Sequence, residues 1–414
     1  MLAIILGSTS MFRWVVLFGV WAAYSAFGLV ATSLAPLVPL VEQDLQLSHT
    51  AMGSIMGAWQ LTYIAAAIPC GLLLDRYPAR YTLTLGILLI ALSALLRGFA
   101  TDYASLLFAV MLFGLGGPII STGAPKIITG WFEGSSRGLA MGVYMTGPAI
   151  GGVVSLTLTH TVLLPWLGDW QTLMIVLSVV VSTVALLWLL IANHSLLLAS
   201  ESRAKASNSP ASERPTRFLL SQRTVQIVLL MSVGVFLFNH GLNNWLPELL
   251  KGHGMTLIEA GYWAAIPTVI GILGSLTIPR LATPGRRFKI LLALCICAFG
   301  SSVLLQFEQQ GILTVGLIIQ GIARSSLMTV LVLTLVELPG IGERYAGLAS
   351  GLFFTAAEFG GVMGPTLLGI TYDYSGDFTL GLGLLSVTAA LLTWATVMLM
   401  RRVKPTAATS GNPS

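Results

Sequence analysis

Charge is what this sequence has least of. Only 9% of its 414 residues are Asp, Glu, Lys or Arg, against about 25% in an ordinary soluble domain. A soluble core that large would have no polar surface to turn toward water, so lipid must cover it. Cysteine is nearly absent as well. Cys70, Cys295 and Cys297 all lie in apolar runs, which argues against a disulfide framework and fits small buried hydrophobes. No Gly-x-x-x-x-Gly-Lys-Ser/Thr phosphate loop occurs, which disfavours an ATP-driven pump. No nucleophile–base pair or cluster of metal-ligating residues stands at useful spacing. The expectation is a protein that is not an enzyme and holds neither cofactor nor metal.

What fills the chain instead is apolar sequence, 55% of the total, in runs of about 20 residues. That length suits membrane-spanning helices rather than the ~10-residue strands of a barrel. Twelve spans are predicted, at 14–38, 51–74, 81–100, 104–126, 138–163, 171–192, 224–246, 258–280, 288–306, 311–335, 346–370 and 378–400. One long stretch, 194–223, could not sit in hydrocarbon, because Glu201, Arg203, Lys205, Glu213, Arg214 and Arg217 crowd it. It reads as a linker between an N-terminal six-helix unit, 11–193, and a C-terminal one, 224–404. The first ten residues lack the basic region of a signal peptide, and Met11 competes with Met1 as the start.

The net charge of +5 reports topology, not nucleic-acid binding. With the N-terminus inside, the inner segments collect Arg13, Arg76, Arg80, Lys126, Arg137, five basic residues of the linker, the group from Arg280 to Lys289, Arg344, Arg401, Arg402 and Lys404. The outer segments hold only Arg97 and Lys251. The positive-inside rule then places both termini and the linker in the cytoplasm, in a multi-pass protein of the inner membrane. The lipid bilayer is the expected partner, nucleic acid is not, and the chain is expected to work as a monomer.

The halves are related. Pro39, Leu47, Ser48 and Gly53 recur as Pro247, Met255, Thr256 and Gly261 at an offset of 208, and Arg137 recurs as Arg344 at 207. A shared period across separate motifs argues for a duplicated six-helix unit. The fold class is thus all-α, with twelve transmembrane helices in two pseudo-symmetric bundles, an arrangement used by transporters. Small residues punctuate the fifth span (Gly138, Gly142, Gly147, Gly151, Gly152) and the eleventh (Gly347, Gly351, Gly360, Gly361, Gly364), where they permit close helix crossing.

Gly71, Asp75, Arg76 and Arg80 lie in the turn between the second and third spans. This segment resembles the Gly-x-x-x-Asp-Arg-x-Gly-Arg-Arg signature of the major facilitator superfamily, with Pro78 where Gly is usual and no acid in the second copy, Gly274 to Arg287. The resemblance implies alternating access. It makes Asp75, Arg76, Arg80 and Arg137 candidate gating residues on the cytoplasmic side; the plainer reading of the arginines is topology alone. It also implies a central cavity lined by the first, fourth, seventh and tenth spans. The segments Asn244-Trp245-Leu246-Pro247, Trp131-Phe132-Glu133 and Arg137 to Gly142 are similar to the cyanate and nitroimidazole transporter group.

Charge inside the bilayer is costly and marks function. Arg324 falls near the middle of the tenth span. It can serve as receptor for an anionic substrate or as the structural partner of Glu358 in the eleventh span. Asn239, His240, Asn243 and Asn244 crowd the outer half of the seventh span, with Asn239 and Asn243 on one helical face. Trp21 and Tyr24 of the first span add aromatic surface, unless they merely pack. The substrate site is therefore expected from Arg324, Trp21, Tyr24, Asn239, His240 and Asn243, with Glu358 or His240 carrying a coupled proton. The function predicted is secondary active transport of a small organic or inorganic anion by symport. The alternative is a proton-coupled drug antiporter, in which Glu358 binds cationic compounds and Arg324 is its resting partner.

Overall fold

The structure is a computed structural model and describes residues 9–195, 216–283, 285–338 and 342–403. Most of the expected linker, 194–223, lies outside the described residues. Twelve helices cross the molecule. In the first bundle they are α1 (Thr9–Thr32), α2 (His49–Arg76), α3 (Ala79–Gly98), α4 (Tyr103–Trp131), α5 and α6 (Trp170–Ala192). Helix α5 is built from Gly134–Met145 and Gly147–Leu158 and closes with a wide π-turn at Thr159–Leu163. The second bundle holds α7 (Arg223–Gly252), α8 (Leu257–Leu281), α9 (Arg287–Leu304), α10 (Gln310–Val336), α11 (Gly342–Ser375) and α12 (Thr379–Arg402). The helices outrun several predicted spans because hydropathy registers only the hydrocarbon-facing part, while the helices project beyond it. The molecule has two ends: a linker face, where α1 begins and α12 ends, and a far face, bearing the turns after α1, α3, α5, α7, α9 and α11.

Local signals start the helices at the far face. Ser48 caps α2 by accepting from the Ala51 amide at 3.2 Å, and its repeat mate Thr256 caps α8 through Glu259. Asp102 and Asp169 do the same for α4 and α6. Each cap satisfies an amide that the helix itself cannot.

The bundles meet at the far half. A Cβ on Gly53 of α2 would strike the Pro365 carbonyl of α11, and one on Gly261 of α8 would strike the Leu156 carbonyl of α5. The two glycines are 208 residues apart, so the duplicated unit makes its own crossing twice. At Gly57 the clash, with Val362 O, would be at 2.7 Å, whereas Gly351, nearer the linker face, would meet nothing within 4 Å. The bundles part toward the linker face.

The charge count places Arg97 in an outer segment; it lies in the last turn of α3, at the far-face end, with its side chain turned inward and 2% exposed inside the first bundle. Its Nη1 donates to Val30 O at 2.9 Å and to Ser33 Oγ at 3.2 Å, with the guanidinium over the Phe113 ring. Helix α1 breaks just beyond, at Ala35–Leu37. Val30 O also accepts from Ser33 N and Ser33 Oγ, and Arg97 adds a charged donor. Arg97→Leu should destabilise the protein by about 1.5–3 kcal/mol, the worth of a hydrogen bond to a charged group, read as a lower Tm of detergent-purified protein; an unchanged Tm would show the contact to be idle.

Candidate functional site

Between the bundles lies a cavity of about 570 Å³, within the roughly 300–1,000 Å³ usual for small-molecule sites. Tyr24 and Phe27 of α1, Trp59 of α2, Thr146 of α5, Asn239, His240 and Asn243 of α7, Thr268 of α8, and Arg324 and Ser325 of α10 contribute to its wall. The first, seventh and tenth spans line it, as expected, but α4 gives no lining residue; α2, α5 and α8 do. Helix α2 reaches the cavity because its glycine-rich far half lies directly on α11, which turns its next residues toward the centre.

Among the described residues Arg324 is the one formally charged side chain in that wall. Its Nη1 donates to Thr268 Oγ1 at 3.3 Å, and its backbone carbonyl accepts from Asn239 Nδ2 at 3.2 Å. The second contact ties α7 to α10 and holds the base of the arginine. Among the described residues the ion pairs join Lys251 to Glu248 and Arg287 to Glu337, and His49 meets Glu42; none of these contacts includes Arg324. The structural pair with Glu358 is thus not formed. Glu358 is 5% exposed, is absent from the cavity wall, and leaves Oε2 buried without a hydrogen bond. It packs beside Gly361, within electrostatic reach of Tyr24 and Tyr63.

Tyr24 stands in the wall and stacks on Tyr144 with centroids 5.6 Å apart. Trp21 does not reach the wall: its Nε1 donates to Thr146 Oγ1 at 3.1 Å, and Thr146 is the residue presented to the cavity. Asn244 turns back along its own helix to His240 O at 2.8 Å. His240 Nδ1 lies 3.2 Å from Gln60 Nε2 of the other bundle. Gln60 and Thr268 went unnoticed in the sequence. Gln60 had a signal, a polar residue in the middle of an apolar span; Thr268 had none.

At the linker face, Arg76 lies over the Tyr77 ring, Arg80 lies 4.5 Å over the Tyr81 ring, and Arg137 Nε donates to Phe132 O at 2.9 Å. All three contacts stay within the first bundle. Asp75 belongs to the last turn of α2, and its side chain lies outside what is described. Lys126 Nζ donates to Leu74 O at 2.9 Å, closing the C-terminal end of the same helix. In the second bundle the missing acid of the repeat is replaced from elsewhere: Arg287, at the start of α9, pairs with Glu337 at the end of α10.

A sequence profile of the Major Facilitator Superfamily matches residues 20–365. The chain belongs to that superfamily. It is 25% identical over 391 residues to the hexuronate transporter of Bacillus subtilis strain 168, with 90% of each chain covered. It is 26% identical over 373 residues to a quinolone resistance transporter of Acinetobacter baumannii, with 83% of each covered. Its fold is similar to a crystal structure of the nucleoside transporter NupG, with a TM-score of 0.77 at 12% identity, covering 94% of this chain and 99% of that one. The protein is a multi-pass membrane transporter, not an enzyme.

The transporter closes its far face with a clasp between bundles. Asp373 of α11 accepts from the His49 and Thr50 amides at 3.1 and 2.8 Å, using first-turn donors of α2 and meeting the positive end of its dipole. The His49 ring is sandwiched by Tyr372 and Trp245, at 3.7 and 5.1 Å. Burial pushes the imidazole down to about 4, reinforced by Lys251 and opposed by Asp373. The neutral ring then donates Nδ1–H to Glu42 Oε2, 3.2 Å away; burial outweighs the Asp373 carboxylate that would favour a cation. Since this imidazole is depressed in the closed state, its contribution is complete above the free value near 6.5 and is lost as pH falls toward about 4. Burial raises its partner Glu42 to about 8, so that carboxyl contributes in the opposite sense, most at low pH. The His49 share is read by difference: labelling of a cysteine at Met52→Cys, a buried far-half position, in a background lacking the native cysteines, should rise more between pH 6.5 and about 4 than in the same background carrying His49→Phe; equal profiles would remove His49 from far-face opening.

Proposed function

We propose that this transporter carries a small organic carboxylate, of the sugar-acid kind, across the inner membrane by alternating access, with the linker face and both termini in the cytoplasm. The observation that carries the reading is Arg324: a guanidinium in the cavity wall with no carboxylate partner among the described residues. An unpaired charge at that depth is expensive unless a ligand of opposite sign visits it. Amides and hydroxyls of Asn239, Asn243, Thr268 and Ser325 surround it, suited to the hydroxyls of a polyol. The likeness to a hexuronate transporter supports the same class. The cyanate side of the earlier resemblance fits the sign of the charge, but a linear three-atom ion would leave most of the cavity's volume unfilled.

Tyr24, His240 and Asn243 complete the proposed substrate site, with Trp21 acting through Thr146. Glu358 is the proposed proton carrier, since it is a buried acid without a fixed cation. Asp75, Arg76, Arg80 and Arg137 are proposed to meet the second bundle when the linker face closes. The drug-antiporter reading, favoured by the quinolone-resistance relative, would require Glu358 to touch the drug, and Glu358 is not in the cavity wall.

Two experiments test this. Purified protein with D-glucuronate at about 100 times its Kd should gain roughly 2.7 kcal/mol, seen as a higher Tm, while glucose should give no shift. Arg324→Ala should weaken binding by about 1.5–3 kcal/mol, roughly 10- to 150-fold, in a protein that still folds. Stabilisation by cationic drugs and not by glucuronate would favour the antiporter. Separately, Glu358→Gln should abolish accumulation driven by a proton gradient but leave substrate counterflow in proteoliposomes. Gradient-driven accumulation by that variant would remove Glu358 from coupling.

A further inference from the structure

His240 and Gln60 face each other across the boundary between the bundles. Gln60 belongs to α2 and is fully buried at 0% exposure; His240 belongs to α7 and lines the cavity that Arg324 also lines. The contact is between the Gln60 amide nitrogen, Nε2, and His240 Nδ1 at 3.2 Å. An amide nitrogen donates and cannot accept, so Nδ1 must present its lone pair. A neutral imidazole with a bare Nδ1 carries its proton on Nε2.

We infer that Gln60 fixes the tautomer of His240, so that an Nε2–H is offered to a substrate carboxylate beside Arg324 while the far face is shut. Gln60 is thus a positioning residue, acting through the histidine. The inference rests on the carboxylate reading of the cavity. The opposite amide orientation would set Gln60 Oε1 on Nδ1, move the proton there, and turn a lone pair of Nε2 toward the anion, which is repulsive. Helix α11 closes over the other side of the amide: a Cβ on Gly361 would lie 3.0 Å from Gln60 Cγ and 3.4 Å from its Nε2, while Gln60 Oε1 is buried without a hydrogen bond. The missing side chain at Gly361 is what makes room for it. Since Gln60 and His240 sit on different bundles, the link exists only where the far halves touch. Parting the bundles there frees the ring, removes the fixed donor and lowers affinity for the carboxylate on the opened side.

The test uses full-length protein labelled with 15N-histidine, in nanodiscs without ligand, the His240 signals being identified by their loss in His240→Asn. The unaltered protein should show a pyridine-type Nδ1 and a pyrrole-type Nε2. Gln60→Leu should release the preference and raise the KM for D-glucuronate roughly three- to tenfold, the worth of one neutral hydrogen bond, with Vmax little changed. Gln60→Glu should draw the proton to Nδ1 and weaken binding further, and Gln60→Asn should restore part of the loss. A protonated Nδ1 in the unaltered protein overturns the proposal even if the variants do not fold. Unchanged shifts and KM in Gln60→Leu also overturn it. Absence of any glucuronate binding by the unaltered protein overturns the carboxylate reading instead, while the ligand-free nitrogen shifts still decide the tautomer.

Discussion

Backbone-to-backbone approach at the far face is the constraint on which the rest of this structure depends. Helices α2 and α11, and their repeat mates α8 and α5, touch through Gly53 and Gly261 with no room for a side chain. In a bilayer there is no hydrophobic drive to join apolar helices, so such contacts rest on close van der Waals packing and polar links. The clasp of Asp373 on the first turn of α2 provides polar links at the rim. Below it the bundles diverge, and the cavity is the space so created. Trp59 and Gln60 reach the molecular centre because the two turns preceding them are pressed onto α11.

That geometry separates two charges that sequence alone would pair. Arg324 and Glu358 each stand about midway along neighbouring helices, and a mutual ion pair is the cheapest way to keep both in a membrane. Instead Arg324 faces the cavity with Thr268, and Glu358 faces the boundary with Gln60 and Gly361. Neither has the other as counter-ion, so each is left open to a transient one. On the function proposed above, an anion visits the guanidinium and a proton the carboxylate, and keeping their sites apart would let both be occupied at once.

Much of this was legible in the sequence, and the part that was not has physical reasons. Hydropathy gave the twelve spans because lipid imposes one composition on everything it touches. The offset of 208 located Ser48 and Thr256, which do cap equivalent helices, and Gly53 and Gly261, which do mark equivalent crossings. Span identity also brought Tyr24, Asn239, His240, Asn243 and Arg324 to one cavity. What failed was direction around a helix. Trp21 and Tyr24 are three residues apart, yet only Tyr24 reaches the wall. Arg97 was placed in an outer segment by counting charges, a rule about topology that does not foresee the side chain turning inward onto Val30 O. The cross-bundle partners of Gln60, His49 and Asp373 were out of reach altogether, since 180 to 324 residues separate each pair and no local pattern encodes such distances.

Alternating access needs more than a cavity that can open either way; substrate must be held differently in the two states, because a ligand shifts an equilibrium only by its differential affinity. A site built wholly within one bundle would move as a rigid body and bind equally on both sides. Here the guanidinium, its Thr268 support and the amides belong to the second bundle, while Tyr24, Trp59 and Gln60 belong to the first. Rocking one bundle against the other therefore changes the composition of the site itself. Of the proposed site, Gln60, Asn239 and His240 lie on α2 and α7, the helices that also carry the clasp residues His49 and Trp245. Such shared helices are the physical means by which loading the site can bear on the clasp above it.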